Sequence, residues 1–183
     1  GKERMECKSV VAGDIVDGEV RQRLLDAARN QLGGLDLLIN NAGVGAIGPF
    51  AEASEARLRR VMEVNFFAPA ELIRSAVPLL RAGNRPMIVN ISSVLGHRAI
   101  PKKSEYCASK FALHGLSDSI RTELTFCGID VLLVSPGTTA TEFFDNVLEK
   151  KGDLPWLALG AMSPESVARK VLKAIRRGRH EII

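Results

Sequence analysis

The stretch Leu35-Asp36-Leu37-Leu38-Ile39-Asn40-Asn41-Ala42-Gly43 decides the fold. Its first five positions are apolar apart from Asp36, a run too short for a helix and continuous rather than alternating, which is the pattern of a strand covered on both faces. The polar, glycine-containing segment Asn40 to Gly43 then takes the chain out of the sheet. Upstream, Asp17 stands as a helix N-cap ahead of Val20, Leu24, Ala27, Ala28 and Leu32 at helical spacing, and Gly33-Gly34 stops that helix. Earlier still, Val10 and Val11 form a short apolar run, read as a strand leading into Ala12-Gly13-Asp14. Downstream, Ser54 caps a long helical stretch through Leu58, Val61, Met62, Leu72, Ile73, Val77 and Leu80. Pro69 and Pro78 predict bends or a break in it, and Gly83 closes it. Met87 to Ile91 is the next strand, with Ser92-Ser93 at its carboxyl end. A helix carrying Leu113, Leu116, Ile120 and Leu124 follows, stopped at Gly128, and Ile129 to Val134 is another strand before Pro136-Gly137. Ser163-Pro164-Glu165 opens a final helix to Arg177, and Glu181-Ile182-Ile183 begins one more strand.

Short apolar strands alternating with helices predict an α/β fold, a doubly wound parallel sheet with helices on both faces. Ligands in such sheets bind outside the carboxyl ends of the strands. That directs attention to Asp14, Asn40 to Gly43, Ser92-Ser93, and Pro136 to Thr141. The 183 residues, 46% hydrophobic and 25% charged, suit one domain with its own core and disfavour disorder, collagen and coiled coil. A net charge of +4 is a weak pull toward polyanions and gives no case for nucleic acid. Three scattered cysteines, Cys7, Cys107 and Cys127, make no disulfide framework, so a reducing, cytoplasmic setting is expected. No run approaches the roughly 18 apolar residues of a membrane span.

Tyr106 and Lys110 are four residues apart at the start of a helix, which puts both side chains on one face, one turn apart. An ammonium beside a phenol favours the phenolate and draws a pKa of about 10 toward the working range. Ser93, thirteen residues before Tyr106 and at the end of a strand, can reach the same crevice and hold a carbonyl oxygen. Ser92 is expected to point elsewhere, because successive strand residues face opposite sides. One step along the helix turns Cys107 about 100° from Tyr106, so a buried structural thiol is expected there.

The run from Met87-Ile88-Val89-Asn90-Ile91-Ser92-Ser93 to Tyr106-Cys107-Ala108-Ser109-Lys110 resembles the short-chain dehydrogenase/reductase family, classical type. Asn40-Asn41-Ala42-Gly43, Asn65 within Val64-Asn65-Phe66, and Pro136-Gly137-Thr138-Thr139-Ala140-Thr141 match further signatures in the same order. The resemblance implies a single NAD(P)-binding, Rossmann-like catalytic domain over residues 1–183, interconverting an alcohol and a carbonyl by hydride transfer. It implies that Tyr106 is the general acid or base, that Lys110 lowers its pKa and binds the nicotinamide ribose, and that Ser93 positions the substrate oxygen. Asn65 resembles the residue that holds a water in the proton relay; the alternative is a helix-kink residue bonding to backbone, and both roles can coexist. Asp14 then contacts adenine, and Asn41, Ala42 and Gly43 let backbone approach the adenine ribose. Thr139 and Thr141 hold the nicotinamide carboxamide, and the cofactor is NAD or NADP. The resemblance also implies a homodimer or homotetramer paired through the helix of Tyr106 and its predecessor.

The family's opening strand, glycine-rich turn and helix, whose unpaired amides receive the cofactor pyrophosphate, have no counterpart in these residues. The chain therefore reads as an incomplete catalytic domain, a fragment lacking the first strand-helix-strand unit and cut short at the far end. Phe143 to Met162 reads as a mobile flap over the site, where Phe143, Phe144, Leu148, Trp156, Leu157 and Leu159 either face a lipophilic substrate or pack the flap down. His97, His114 and His180 have no spacing suited to zinc, so no metal is expected. Rival readings are a non-catalytic scaffold that keeps the fold, and a methyltransferase-type nucleotide-binding domain. The latter predicts neither the Tyr-to-Lys spacing nor a threonine after Pro136-Gly137.

Overall fold

The computed structural model describes residues 7–151 and 160–183. Four parallel strands, β1 (Leu37–Asn40), β2 (Met87–Ile91), β3 (Asp130–Val134) and β4 (Glu181–Ile182), lie in the sheet in chain order. The helices are α1 (Gly18–Gln31), α2 (Glu55–Met62), α3 (Ala68–Leu80), α4 (Ser104–Thr125) and α5 (Pro164–Arg176). Parallel neighbours need a crossover, and a helix supplies each one here.

Strand side chains alternate between two cores. Ile88 and Val131 face a cluster with Leu25 of α1 and Leu72, Ile73, Ala76 and Leu80 of α3, against which Ile120 and Leu124 of α4 also pack. Met87, Val89, Leu132 and Val134 face the other way, onto Val171 and Ala174 of α5. Both faces of β2 and β3 are thus covered, which is why these strands are apolar rather than alternating, whereas Ile39 of β1 is exposed.

Helix starts follow the side-chain caps. The Asp17 carboxylate accepts from Glu19 N at 2.8 Å, Ser54 Oγ from Arg57 N at 3.1 Å, and Ser163 Oγ from Ser166 N at 3.2 Å. Gly33 takes φ +81° and Gly128 φ +71° just past α1 and α4, left-handed turns that suit glycine.

Two expectations need correction. The strand read at Val10 and Val11 does not form: residues 7–12 are irregular and Val10 is 81% exposed. A strand exists only through its ladder, and among the described residues β1 has no neighbour on that side. A cavity of about 310 Å³ lies there instead, lined by Ser9, Val11, Leu24, Ile39 and Leu72 among others. The break in the long helix comes at a π-helical segment, Glu63–Phe67, and not at a proline. Pro69 sits at the tolerated start of α3, and Pro78 falls inside its last turn. Among the described residues, no helix is long and apolar enough to cross a membrane.

Candidate active site

The carboxyl ends of β1, β2 and β3 deliver Asn41 to Gly43, Ser92-Ser93 and Pro136 to Thr141, and α4 returns Tyr106 and Lys110 to the same edge. Tyr106 and Lys110 are both buried. The Lys110 ammonium donates to the Ile91 carbonyl at 2.9 Å and lies 5.6 Å from the centre of the Tyr106 ring. Ser93 has an extended backbone, and its Oγ caps a 3-10 turn, Val94–Gly96, by accepting from Leu95 N at 3.1 Å.

Burial dominates the protonation of both groups. It pushes the Tyr106 phenol up to about 12, while the neighbouring Ser93 hydroxyl draws it partly back. Burial alone brings Lys110 down to about 8. The Lys110 ammonium, bonded to the Ile91 carbonyl, does not offset the cost of burial at Tyr106.

Asn65 sits in the π-helical segment and is almost wholly buried. Its Nδ2 donates to the Val44 carbonyl and to Ser109 Oγ, both at 2.9 Å, and its Oδ1 accepts from Val44 N at 2.9 Å. Ser109 Oγ in turn donates to the Tyr106 carbonyl at 2.7 Å. The extra backbone residue of a π turn re-aims this amide inward, where it fastens the loop after β1 to α4. A Cβ built on Gly43 would stand 3.4 Å from Asn65 Oδ1 and 3.7 Å from Lys110 Nζ, so that loop passes close over both.

Several supporting residues escaped sequence reasoning. Asn90 Oδ1 accepts from Asn40 Nδ2 at 2.8 Å, and its Nδ2 donates to Ser117 Oγ at 2.9 Å, tying β1, β2 and α4 together in the interior. One polar residue within the otherwise apolar Met87–Ile91 was the available signal. Arg57, buried on α2, donates to Glu105 Oε1 through Nε at 2.9 Å and to Glu149 Oε2 through Nη1 at 2.7 Å. Nothing in the local pattern of Arg57 announced this.

The remaining candidates are engaged locally. Asp14 is exposed and pairs with Arg60 at 2.7 Å; a backbone bond from Val16 and that guanidinium hold its carboxyl below its ordinary value. Thr139 Oγ1 donates to the Gly137 carbonyl at 3.2 Å, and Thr141 Oγ1 accepts from Phe143 N at 3.3 Å. Ser92 Oγ turns to the Lys110 carbonyl at 3.4 Å, and Cys107 is buried.

The described part of the expected flap is fastened down. Leu148 N donates to the Gly45 carbonyl at 2.8 Å, Ile47 N to the Glu149 carbonyl at 2.8 Å, and Lys151 N to the Ile47 carbonyl at 2.7 Å. Phe143 meets the Tyr106 ring edge-on at 5.5 Å, and the Lys103 ammonium lies 4.8 Å from the centre of the Phe144 ring. Leu148 is exposed, whereas Trp156, Leu157 and Leu159 lie outside the described residues. Spacing along the chain offered no metal site; in the fold, His97 and His114 lie beside Glu181.

The sequence model of short chain dehydrogenases matches residues 2–152. This chain belongs to the short-chain dehydrogenase family. An uncharacterized oxidoreductase of Schizosaccharomyces pombe is 29% identical over 185 residues, covering 93% of this chain and 78% of that protein. A short-chain dehydrogenase from Burkholderia cenocepacia, solved in complex with NADP, superposes with a TM-score of 0.79 at 30% identity, over 94% of this chain and 67% of that one. Another, from Burkholderia phymatum in complex with NAD, gives 0.82 at 27% identity, over 92% of this chain and 68% of that one. The four-stranded parallel sheet of this short-chain dehydrogenase agrees with the doubly wound, Rossmann-like fold expected from its sequence.

Proposed function

We propose that this chain carries the catalytic part of an NAD(P)-dependent oxidoreductase that interconverts an alcohol and a carbonyl on a small lipophilic molecule, with Tyr106 as general acid and base. The observation that carries the reading is the burial of Tyr106 with Ser93 at its phenol and Lys110 one turn along the same helix.

The residues present fit the nicotinamide-ribose half of the cofactor. The Lys110 ammonium has three N–H donors and one acceptor among the described residues, the Ile91 carbonyl, so it has donors left for ribose hydroxyls. The loop at Gly43 lies close above it and has no side chain to fill that space. Asp14, Asn41, Ala42 and Gly43 serve the adenosine half, with Thr139 and Thr141 at the carboxamide. NAD or NADP, named with the two Burkholderia relatives, would when bound accept the hydride in its oxidised form and supply it in its reduced form.

Ser93 donates a hydrogen bond to the substrate oxygen and holds it beside the phenol. In reduction the Tyr106 hydroxyl gives its proton to that oxygen as negative charge develops on it. In oxidation the phenolate takes the alcohol proton. Lys110, when protonated, stabilises the phenolate by its charge. Asn65 is a positioning residue, since its amide fastens the loop after β1 to Ser109 and through it to Tyr106. Phe143 and Phe144 give the crevice an apolar wall, which supports a lipophilic substrate. Exposed Phe67 and Phe111, on the elements around α3 and α4, support pairing into a homodimer or homotetramer, and the scattered free cysteines support a cytoplasmic enzyme.

The test is Tyr106→Phe in the complete gene product, assayed with NAD(H) and NADP(H) against lipophilic alcohols and carbonyls. Turnover is expected to vanish with far-UV circular dichroism unchanged. Near-normal turnover would refute the mechanism and favour a binding or scaffolding role for the fold.

A further inference from the structure

Outside the proposed catalytic residues, three side chains from three separate elements converge on one spot. His97 follows the 3-10 turn after β2, His114 lies on α4, and Glu181 opens β4. One donor atom from each falls within 4.8 Å of the others. His97 Nε2 is 3.5 Å and His114 Nε2 4.0 Å from the same carboxylate oxygen, Glu181 Oε1. The two rings cross edge-on with centres 4.4 Å apart.

We propose that His97, His114 and Glu181 form a binding site for one divalent transition metal of the zinc class. A tetrahedral ion with metal–nitrogen bonds of about 2.0–2.1 Å and metal–oxygen bonds of about 2.0–2.2 Å holds its ligand atoms about 3.4 Å apart. The separations of 3.5 and 4.0 Å are close to that spacing, and with all three atoms within 4.8 Å of one another the set has to draw together to close on one ion. Two imidazole nitrogens share Glu181 Oε1, and a second carboxylate, Asp118, borders the same His114 ring, so nitrogen and oxygen donors of three elements surround one spot. All three side chains are partly exposed, at 30%, 21% and 42%, which leaves an entry path.

The surroundings complete the set. Ser135 Oγ is 2.9 Å from His97 Nε2, so a metal at that nitrogen would have to displace this hydrogen bond. Asp118 Oδ2, 3.5 Å from His114 Nε2, is the nearest further ligand; otherwise water takes the fourth position. The neighbouring cation, Arg121, spends its donors on Asp118 Oδ1 at 2.8 Å and on the Val131 and His180 carbonyls at 3.2 Å, so it does not occupy the centre. Two imidazoles with carboxylate favour zinc, nickel or copper over magnesium or calcium. A bound ion would pin the two-residue strand β4 to α4 and to the turn that carries Ser93.

The test uses the chain stripped with chelator and kept reduced, titrated with Zn²⁺ by calorimetry and by thermal melting. One equivalent should bind with a micromolar Kd and raise the Tm. His97→Ala and His114→Ala should each weaken binding at least tenfold, while His180→Ala, outside the set, leaves it unchanged. Failure of the unsubstituted chain to bind stoichiometrically, or unchanged binding in both variants, would overturn the site. The Co²⁺-loaded unsubstituted chain gives a readout that needs no variant. Tetrahedral visible bands without a thiolate charge-transfer band support the site, and a thiolate band assigns the metal to cysteine and overturns it.

Discussion

Arg57 on α2 donates to the carboxylate of Glu105 at 2.9 Å in the interior, and Glu105 is the residue immediately before Tyr106. A second arm of the same guanidinium reaches Glu149, on the segment stitched to Gly45 and Ile47. The helix that presents the phenol is thereby tied to α2 and to the wall of the crevice through one buried charge. Glu149 is held below its ordinary value first by this bond to Arg57 and then by Lys151.

Arg57→Leu leaves Glu105 buried and without its cation. Loss of one partner from a buried pair costs about 3–5 kcal/mol. Urea denaturation should register a drop of that order. Replacing both members with apolar residues should recover much of it, and a double variant no better than the single one would show that the pair is not the cause.

Asn65→Ala strands the half-buried Val44 amide and carbonyl and removes one of the two hydrogen bonds of buried Ser109 Oγ. Each unsatisfied buried group costs about 1–3 kcal/mol, partly offset where water enters. A net loss of about 2–3 kcal/mol is expected by chemical denaturation, together with faster amide exchange at Val44. Unchanged exchange there would contradict the clamp.

Lys110 gives the stability a pH dependence of definite sign. Its value is about 8 in the folded chain against an ordinary 10.5. Between those limits the unfolded chain holds a proton that the folded chain has shed, so stability rises with pH across that window. Below about 8 both forms are protonated and the folded state bears the full cost of the buried ammonium; above 10.5 the cost is gone. The gap corresponds to about 3 kcal/mol. Tyr106 works the other way: raised from 10.0 to about 12, it contributes stability that is present below 10.0 and lost as pH rises through about 12. Urea midpoints should climb from pH 8 toward 10 and then fall, and Lys110→Met should flatten the climb. A flat profile in the unsubstituted chain would count against both assignments.

The 183 residues contain no glycine-rich turn to receive a pyrophosphate on helix amides. Dinucleotide binding by this chain alone should therefore be undetectable by calorimetry, with either NAD or NADP. A micromolar Kd would mean that the ribose and carboxamide contacts suffice.

What was legible in the sequence is what short-range forces decide. Asp17, Ser54 and Ser163 cap the amides two or three residues ahead of them, and each opens a helix where its spacing predicted one. The largely apolar runs at Leu37–Asn40, Met87–Ile91 and Asp130–Val134 form strands where they were expected, the latter two almost wholly buried. Helical geometry alone places Tyr106 and Lys110 on one face. The sequence by itself thus determined the parallel α/β architecture and the candidate proton-transfer residues.

Only the tertiary structure decided the rest, because those features depend on partners far along the chain. Val10 and Val11 have strand-like composition, but a strand is made by its neighbour, and none lies beside them among the described residues. Arg57 and Glu105 are 48 residues apart, and Asn65 and Ser109 are 44 apart, so neither pairing leaves a periodic trace. His97, His114 and Glu181 lack any ligand-like spacing and meet because a turn, a helix and a strand end converge. Burial, which only packing sets, also outweighs the ammonium at Tyr106. Desolvation depends on how much protein surrounds the phenol, which the four-residue spacing to Lys110 does not reveal.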